Sequence, residues 1–229
     1  MSTIESNLQV VRARIAAAAR DAGRDPATIA LLAVSKGFPE RALRDAHAAG
    51  QREFGENYLQ EALAKIGALS DLALVWHFIG PIQSNKTRAI AEHFDWVHSV
   101  ARANIAQRLS DARPAQRAAL DVCLQVNVSG ESSKSGVAPQ EVRALAEAVR
   151  ALPRLRLRGL MAIPEPSEDV ALPRRRFRQL HLLLAQLNAG GLALDTLSMG
   201  MSQDLETAVM EGATIVRIGT AIFGERKRV

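Results

Sequence analysis

The strongest constraint on the fold is an alternation of short apolar runs with amphipathic segments that continues along the whole chain. Eight of the apolar runs have the length and composition of buried strands, and segments of helical period separate them. We predict strands over residues 29–35, 52–57, 74–79, 96–100, 120–128, 155–163, 194–199 and 214–223. We predict helices over residues 6–22, 39–49, 58–66, 84–93, 101–112, 139–151, 174–188 and 204–211. This order is typical of parallel βαβ units, and eight strands close a (β/α)8 barrel.

The predicted fold class is therefore α/β, with a single-domain (β/α)8 TIM barrel that takes up residues 1–229. An open doubly wound sheet is the alternative, but the first predicted strand lacks the G-x-G-x-x-G turn of dinucleotide-binding sheets. Almost no chain follows the last predicted strand, so the usual final helix is absent. We expect the extra N-terminal helix over residues 6–22 to cover that gap.

The first predicted strand ends in Ser35-Lys36-Gly37. Burial at a strand end disfavours the charged form of a lysine, lowers its pKa and makes the amine a nucleophile towards carbonyl groups. The alternative is a lysine whose stem lies on apolar surface while its amine reaches water. The chain has 24 arginines and only five lysines. Arginine supplies most of the positive charge of the chain but forms no Schiff base. A lysine at this strand end therefore indicates amine chemistry rather than a replaceable surface cation.

Small and polar residues collect where the predicted strands end, and in a barrel these ends converge on one face, where barrel sites are built. Each residue alone also fits a structural role. Asn57 is suited to cap a helix. We favour packing over acid–base chemistry for His77. The number of such residues nevertheless favours a binding or catalytic site.

The ends of the seventh and eighth predicted strands resemble a phosphate site. Ser198 and Gly200 precede one helix, and Gly219-Thr220 follow Arg217 near the end of the chain. Glycines let backbone N–H groups approach a phosphate, and hydroxyl groups add donors. We therefore expect a phosphate opposite the lysine of the first strand, which fits a phosphorylated ring that carries an amine-reactive carbonyl.

Composition excludes several classes of protein. The net charge is +5, but the arginines are spread along helices beside acidic residues, and aromatic residues make up only 4%, too few for a base-stacking platform, so we predict no nucleic-acid partner. The longest apolar runs are shorter than the ~18 residues of a membrane span, and no secretory signal is visible, so we predict no membrane partner and a cytoplasmic location. Cys123 is the only cysteine, and we expect a buried, inert thiol.

Several motifs together resemble the pyridoxal phosphate homeostasis proteins, and the resemblance covers nearly the whole chain. The motifs are Ala33-Val34-Ser35-Lys36 with Pro39, Phe54-Gly55-Glu56-Asn57, Trp76-His77-Phe78-Ile79-Gly80 with Gln83-Ser84-Asn85-Lys86, Gly159-Leu160-Met161, Leu197-Ser198-Met199-Gly200-Met201-Ser202 with Asp204, and Arg217-Ile218-Gly219-Thr220 with Phe223-Gly224. The run from His77 to Lys86 is the most specific of them.

The resemblance implies a barrel similar to the N-terminal domain of alanine racemase, without the C-terminal β-domain of the racemase. It implies that pyridoxal 5′-phosphate (PLP, the active form of vitamin B6) is held covalently as a Schiff base on Lys36. The cofactor-binding residues that it implies are, in chain order, Lys36, Asn57, Met161, Ser198, Gly200, Arg217, Gly219 and Thr220. Among these, Ser198, Gly219 and Thr220 match phosphate positions, and Arg217 faces the pyridine nitrogen.

A cation beside the pyridine nitrogen disfavours its protonation and weakens the ring as an electron sink. With the racemase's second domain absent, the resemblance implies a non-catalytic protein that buffers PLP and delivers it to PLP-dependent apo-enzymes.

We expect a monomer that binds no metal ion. A small PLP enzyme such as an amino-acid racemase, with His77 or another residue as its second acid–base group, is the first alternative. A Schiff-base aldolase that acts on a phosphorylated sugar is the second.

Overall fold

The computed structural model describes residues 2–130, 135–165, 169 and 171–225, and within them eight parallel strands close into one barrel. Each strand pairs with the next in chain order, and the last pairs with the first. The strands are β1 Ala30–Val34, β2 Glu53–Glu56, β3 Val75–Phe78, β4 Trp96–Val100, β5 Leu120–Gln125, β6 Leu155–Met161, β7 Thr196–Ser198 and β8 Ile215–Ile218. The predicted barrel is confirmed, and the open sheet is excluded.

The helices pack on the outside of the barrel. They are α1 Thr3–Asp21, α2 Glu40–Ala48, α3 Leu59–Ala68, α4 Thr87–His93, α5 Ala103–Ala112, α6 Val142–Arg150, α7 Leu172–Ala189, α8 Leu205–Met210 and α9 Thr220–Phe223. Short 3-10 turns lie at Pro26–Thr28, Ser84–Lys86 and Pro139–Glu141. None of the helices in the described ranges is both long enough and apolar enough to cross a membrane.

Because helices cover the outside and side chains fill the inside, the strands are buried on both faces and read as continuous apolar runs. In β5, the side chains of Leu120, Val122 and Leu124 have no exposed surface. Cys123 lies between them, also fully buried, and burial raises the pKa of its thiol. The thiol is therefore held in its neutral, unreactive form, as the sequence predicts.

Helix α1 covers the outside of the barrel beside α8 and α9, the place expected from the sequence. It packs against α8, α9 and α2 through a buried face that includes Leu8, Val11 and Ile15. The amide of Asn7 donates to the carbonyl oxygen of Ile222 in α9 at 2.9 Å. The N-terminal helix therefore also supports α9, a contact that the sequence did not predict.

The prediction that the eighth strand runs to Phe223 is wrong. Strand β8 ends at Ile218, and the residues from Thr220 form α9, in which the N–H groups of Ile222 and Phe223 both donate to the carbonyl oxygen of Gly219. A Cβ at Gly219 would lie 3.1 Å from the carbonyl oxygen of Val34, so glycine allows the turn to pass close to β1. A continuous apolar run does not by itself distinguish a strand from a strand followed by a helical turn.

Candidate functional site

A cavity of about 530 Å3 opens where the strands end at their carboxyl ends. Five of the eight predicted site residues line it, namely Lys36, Asn57, Arg217, Gly219 and Thr220. The other lining residues are Val34, Phe38, Ile79, Ile163, Met201, Ser202, Gln203, Asp204 and Ala221. The cavity thus brings an amine, a guanidinium, a carboxyl group and a hydroxyl group together between apolar walls.

The three remaining predicted residues lie behind the wall of this cavity. Met161 and Ser198 pair across β6 and β7, and they are 1% and 0% exposed. Gly200 has φ of +92°, and a Cβ there would lie 2.5 Å from Cβ of Ala208. Gly200 therefore turns the chain tightly over α8, while Met161 and Ser198 pack inside the barrel.

Lys36 lies in a turn that is held at both of its flanks. The turn closes with a hydrogen bond from Phe38 N–H to the carbonyl oxygen of Ser35 at 3.1 Å, and Gly37 takes φ of +78°. The Ser35 hydroxyl donates to Oε1 of Glu56 at 2.7 Å. The Gly37 N–H donates to Oε1 of Glu61 at 2.6 Å. These contacts fix the backbone from which the half-buried Lys36 side chain reaches the cavity.

A second lysine, Lys65 in α3, connects the two flanks of this turn. Its Nζ donates to the carbonyl oxygen of Ser35 at 2.8 Å, to Oε1 of Glu56 at 2.7 Å and to Oε1 of Glu61 at 2.5 Å. Lys65 is 5% exposed and Glu56 is fully buried. Burial raises the pKa of Glu56, and the charge and hydrogen bond of Lys65 oppose this shift. We call Glu56, Glu61 and Lys65 the clamp, since they hold the Lys36 turn.

Arg217 projects from β8 and is 4% exposed. Its Nη1 donates to the carbonyl oxygen of Ser198 at 2.5 Å and to the Ser198 hydroxyl at 2.8 Å, and its Nη2 donates to the carbonyl oxygen of Ala162 at 2.9 Å. Burial lowers the pKa of Arg217 to about 10, and the charge of Asp204 opposes this. The guanidinium is therefore a cation at neutral pH, held rigidly at the inner wall of the cavity.

Backbone groups just after β8 form another part of the wall. Gly219, Thr220 and Ala221 line it at the start of α9, where the first N–H groups of a helix have no partner within the helix. The neighbouring wall is the loop from Met201 to Asp204. Burial raises the pKa of Asp204, while Oδ1 of its carboxyl group accepts a 2.5 Å hydrogen bond from Met201 N–H. This side of the cavity therefore combines backbone donors with the hydroxyl group of Thr220.

Asn57 is held in place by a close approach of the backbone. A Cβ at Gly80 would lie 2.2 Å from the carbonyl oxygen of Asn57, so only glycine fits there. The Gly80 carbonyl oxygen accepts a hydrogen bond from the Ser99 hydroxyl. Oδ1 of Asn57 is buried and has no hydrogen-bond partner among the described residues. A buried amide oxygen at a cavity wall is suited to accept a hydrogen bond from a ligand.

His77 lies inside the barrel rather than at the cavity that holds Lys36. It is 1% exposed, its ring stacks on Trp96 with centroids 5.4 Å apart, and burial lowers its pKa to about 3. It lines a different cavity, of about 330 Å3, where the strands begin. The packing role that we favoured from the sequence agrees with this position.

Two parts of the site were not among the predicted site residues. The first is the wall from Met201 to Asp204. Part of this wall belongs to a motif of the resembled family but was assigned no place in the site, namely Met201, Ser202 and Asp204. The second is the clamp. Glu61 and Lys65 are four residues apart on α3, which is typical of a helical ion pair. Nothing in that spacing shows that the pair contacts the turn of Lys36, because the contact depends on how α3 packs against β1 and β2.

Comparisons with known proteins identify the family of the chain. The family model described as alanine racemase, N-terminal domain, matches residues 2–227. The chain is 67% identical over 226 residues to a pyridoxal phosphate homeostasis protein of Pseudomonas aeruginosa, with 99% of this chain and 97% of the relative covered. It is 52% identical over 229 residues to the protein of the same name from Escherichia coli, with 99% and 98% covered. The chain therefore belongs to the pyridoxal phosphate homeostasis protein family, and the resemblance stated from its motifs is confirmed.

Solved structures give the same answer for the fold. PipY of Synechococcus elongatus with PLP bound matches with a TM-score of 0.84 and 39% identity, over 96% of this chain and 100% of PipY. Alanine racemase of Corynebacterium glutamicum matches with a TM-score of 0.73 and 18% identity, over 99% of this chain and 62% of the racemase. The second match shows a shared barrel fold and no more.

Proposed function

We propose that this protein binds PLP as a Schiff base on Lys36 and serves in PLP homeostasis by buffering the cofactor and delivering it to PLP-dependent apo-enzymes, without turnover of its own. The observation that carries the proposal is that Lys36, Arg217 and the Gly219-Thr220 backbone line one cavity. The names of the relatives and the PLP that PipY holds support the same conclusion.

The residues present fit this cofactor. PLP supplies an aldehyde that reacts with an amine and a ring that accepts electrons. Lys36 provides the amine, Arg217 the cation for the ring nitrogen, and Gly219 with Thr220 the donors for the phosphate. Asn57, whose Oδ1 has no partner among the described residues, lines the same cavity and would contact the ring. Met161 and Gly200 contribute by packing behind the wall.

The side chains of the cavity favour storage over catalysis. Among the described residues that line it, the ionisable ones are Lys36, Asp204 and Arg217. The Asp204 carboxyl group already accepts the Met201 N–H, and a fixed Arg217 cation disfavours protonation of the ring nitrogen. With this weaker electron sink, racemisation needs well-placed acid–base groups on both sides of the ring to compensate. His77, the candidate for that group, does not line this cavity.

The binding mode is tested by absorbance titration with PLP for the wild type, Lys36→Ala and a matched control, Lys86→Ala. Lys86 lies in the turn before α4 and does not line the cavity. We expect the absorption band of lysine-bound PLP in the wild type and the control, and its loss in Lys36→Ala. Equal bands in all three proteins, or none in the wild type, would contradict the proposal. A missing band in the wild type would favour the sugar-phosphate aldolase instead.

Absence of turnover is tested separately, with PLP-loaded protein and a panel of amino acids in deuterated water. A racemase exchanges the α-proton of its substrate, whereas a carrier does not. We expect no deuterium at the α-carbon at a rate near the ~10 s⁻¹ of a median enzyme. Exchange at that rate, lost in Lys36→Ala, would show that the protein is an enzyme.

Delivery is measured by the rate at which an apo-enzyme regains activity when the PLP-loaded protein replaces free PLP.

Two further properties belong to the same proposal. We propose that residues 1–229 function as one PLP-binding domain that is monomeric, because the lining of the cavity comes from a single barrel. We also propose a cytoplasmic location, where PLP-dependent enzymes would be recipients. Sedimentation at several protein concentrations tests the first property, and cell fractionation tests the second.

A further inference from the structure

A continuous line of buried polar side chains crosses the interior of the barrel behind Arg217. The Ser198 hydroxyl lies 2.8 Å from Nη1 of Arg217 and 2.8 Å from Nδ1 of His98. Nε2 of His98 lies 2.9 Å from Nδ1 of His77. Nε2 of His77 faces Oε2 of Glu53 at 3.8 Å. The four residues from Arg217 to His77 are each 4% exposed or less.

The hydrogen-bonding capacity of each group fixes the direction of this line. A guanidinium only donates, so the Ser198 oxygen accepts from Arg217, and the hydroxyl keeps one proton and one further lone pair for Nδ1 of His98. The far end of the line decides between the two, because the Glu53 carboxyl group favours a protonated Nε2 on His77, which leaves Nδ1 of His77 as an acceptor. His98 must then carry its proton on Nε2, where it donates to Nδ1 of His77. Nδ1 of His98 is then an acceptor, and the Ser198 hydroxyl donates its proton to it. Neutral imidazoles with this tautomer satisfy the contacts among Ser198, His98 and His77 and present an N–H group to the Glu53 carboxyl group.

The burial of both rings agrees with that assignment. Burial lowers the pKa of His77 to about 3. Burial, with His77 and the Arg217 cation nearby, lowers the pKa of His98 well below 6.5. Each ring therefore carries one proton at neutral pH. The order of donors and acceptors runs in one direction from β8 through β7, β4 and β3 to β2.

The line determines which part of Arg217 remains for a ligand. Three of its N–H groups are used on Ser198 and Ala162, and a guanidinium has five. Both hydrogens of Nη1 and one of Nη2 are used on these interior partners. The two N–H groups that remain for a ligand are that of Nε and the second one of Nη2. Two of these three hydrogen bonds go to backbone carbonyl oxygens, and the third goes to the Ser198 hydroxyl, the one acceptor of the three that a neighbouring side chain, His98, contacts.

We propose that His98, supported by His77, is a positioning residue that orients the Ser198 hydroxyl and through it holds Arg217 at the ring nitrogen of the cofactor. This inference rests on the proposed PLP-binding function. It gives Ser198 an inward role in place of the phosphate contact that its sequence position indicates, since its hydroxyl has both partners inside the barrel.

The test compares substitutions that keep or remove an atom able to accept the hydrogen bond from the Ser198 hydroxyl. His98→Asn places an amide oxygen near the position of Nδ1, whereas His98→Leu fills similar space without an acceptor. Ser198→Ala removes the link without changing His98, and it keeps the test decisive should His98→Leu not fold. We expect PLP to bind about tenfold more weakly to His98→Leu and Ser198→Ala, because each disturbs a hydrogen bond to a charged group. His98→Asn should retain affinity within about threefold, a smaller loss than that of one such bond.

Two readouts separate this role from general stability. In PLP-free wild type, ¹⁵N NMR of the histidine rings at neutral pH should show His77 and His98 as neutral rings protonated on Nε2. In PLP-loaded protein, the absorption maximum should shift in His98→Leu and Ser198→Ala but not in His98→Asn. A His98 ring protonated on Nδ1 would overturn the inference. So would wild-type PLP affinity and absorption spectrum in both His98→Leu and Ser198→Ala. If the proposed PLP-binding function itself were wrong, the wild type would show no band of lysine-bound PLP, which distinguishes the two failures.

Discussion

Two buried cations act on the candidate site from different sides. Arg217 contacts the cavity directly, while Lys65 acts through the backbone on either side of Lys36. Both are almost fully buried, and a buried charge is stable only when partners satisfy it. Arg217 has carbonyl and hydroxyl acceptors, and Lys65 has two carboxylates with a carbonyl oxygen. Removing either cation should therefore cost more than the loss of one hydrogen bond.

We predict that Lys65→Met lowers the free energy of unfolding by about 3–5 kcal/mol, because it leaves the buried carboxylate of Glu56 without its cation. The measurement is equilibrium unfolding in urea. Lys86→Met, which changes a lysine outside the clamp, should cost no more than about 0.5 kcal/mol.

The double variant Lys65→Met/Glu56→Gln tests the cause of this loss. It should be more stable than Lys65→Met alone, since the uncompensated charge is gone. Unchanged stability of Lys65→Met, or no recovery in the double variant, would show that the clamp is not a stabilising ion pair.

At the scale of residues, sequence reasoning identified groups by their chemistry and missed those defined by packing. Lys36, Asn57, Arg217, Gly219 and Thr220 follow or end strands, and strand ends converge in a barrel, so their presence at one cavity was predictable. The inward role of Ser198 was not, because it depends on which face of β7 lies beside His98 on β4. The side-chain period of a strand does not determine that contact.

At the scale of elements, the predicted strands and helices are present, with boundaries that differ by a residue or a few, apart from the last strand. The last predicted strand is wrong at its end because a buried helical turn and a buried strand end are both apolar, and the sequence pattern does not distinguish them. Helix α1 then takes on two tasks, since it covers the barrel beside α8 and supports α9. Its placement was proposed from the missing final helix, while its contact with α9 required the structure.

We predict that Leu8→Ala, on the buried face of α1, lowers the free energy of unfolding by about 2–5 kcal/mol through the cavity that it leaves. Val10 is 59% exposed on the same helix, so Val10→Ala is the matched control and should change stability by about 0.5 kcal/mol or less. Urea unfolding measures both. Equal effects of the two substitutions would contradict the packing of α1 against the barrel.

At the scale of the whole molecule, the barrel encloses two histidines, His77 and His98, whose neutral rings make its stability depend on pH. An unfolded histidine has a pKa of about 6.5. The folded pKa of His77 is about 3, and burial also lowers that of His98. Below about pH 6.5 the unfolded chain therefore binds protons that the folded chain does not. The stability that these two residues maintain at neutral pH is lost as the pH falls towards their folded pKa values.

We predict that the free energy of unfolding falls by about 1.4 kcal/mol per buried histidine for each pH unit below about 6. Urea unfolding between pH 7.5 and pH 5 measures the slope. The double variant His77→Gln/His98→Asn should have a shallower slope than the wild type, because its amides do not titrate. Identical slopes would show that acid sensitivity comes from other groups.

The central claim, that Lys36 holds the cofactor, is tested most directly by locating the covalent link. PLP-loaded protein is reduced with borohydride, digested, and the modified peptide is identified by mass spectrometry. We predict that the modification is found on the peptide that contains Lys36 and that Lys65, enclosed in the clamp, is unmodified. Modification of another lysine, or of none after reduction of protein that shows the bound band, would contradict the account.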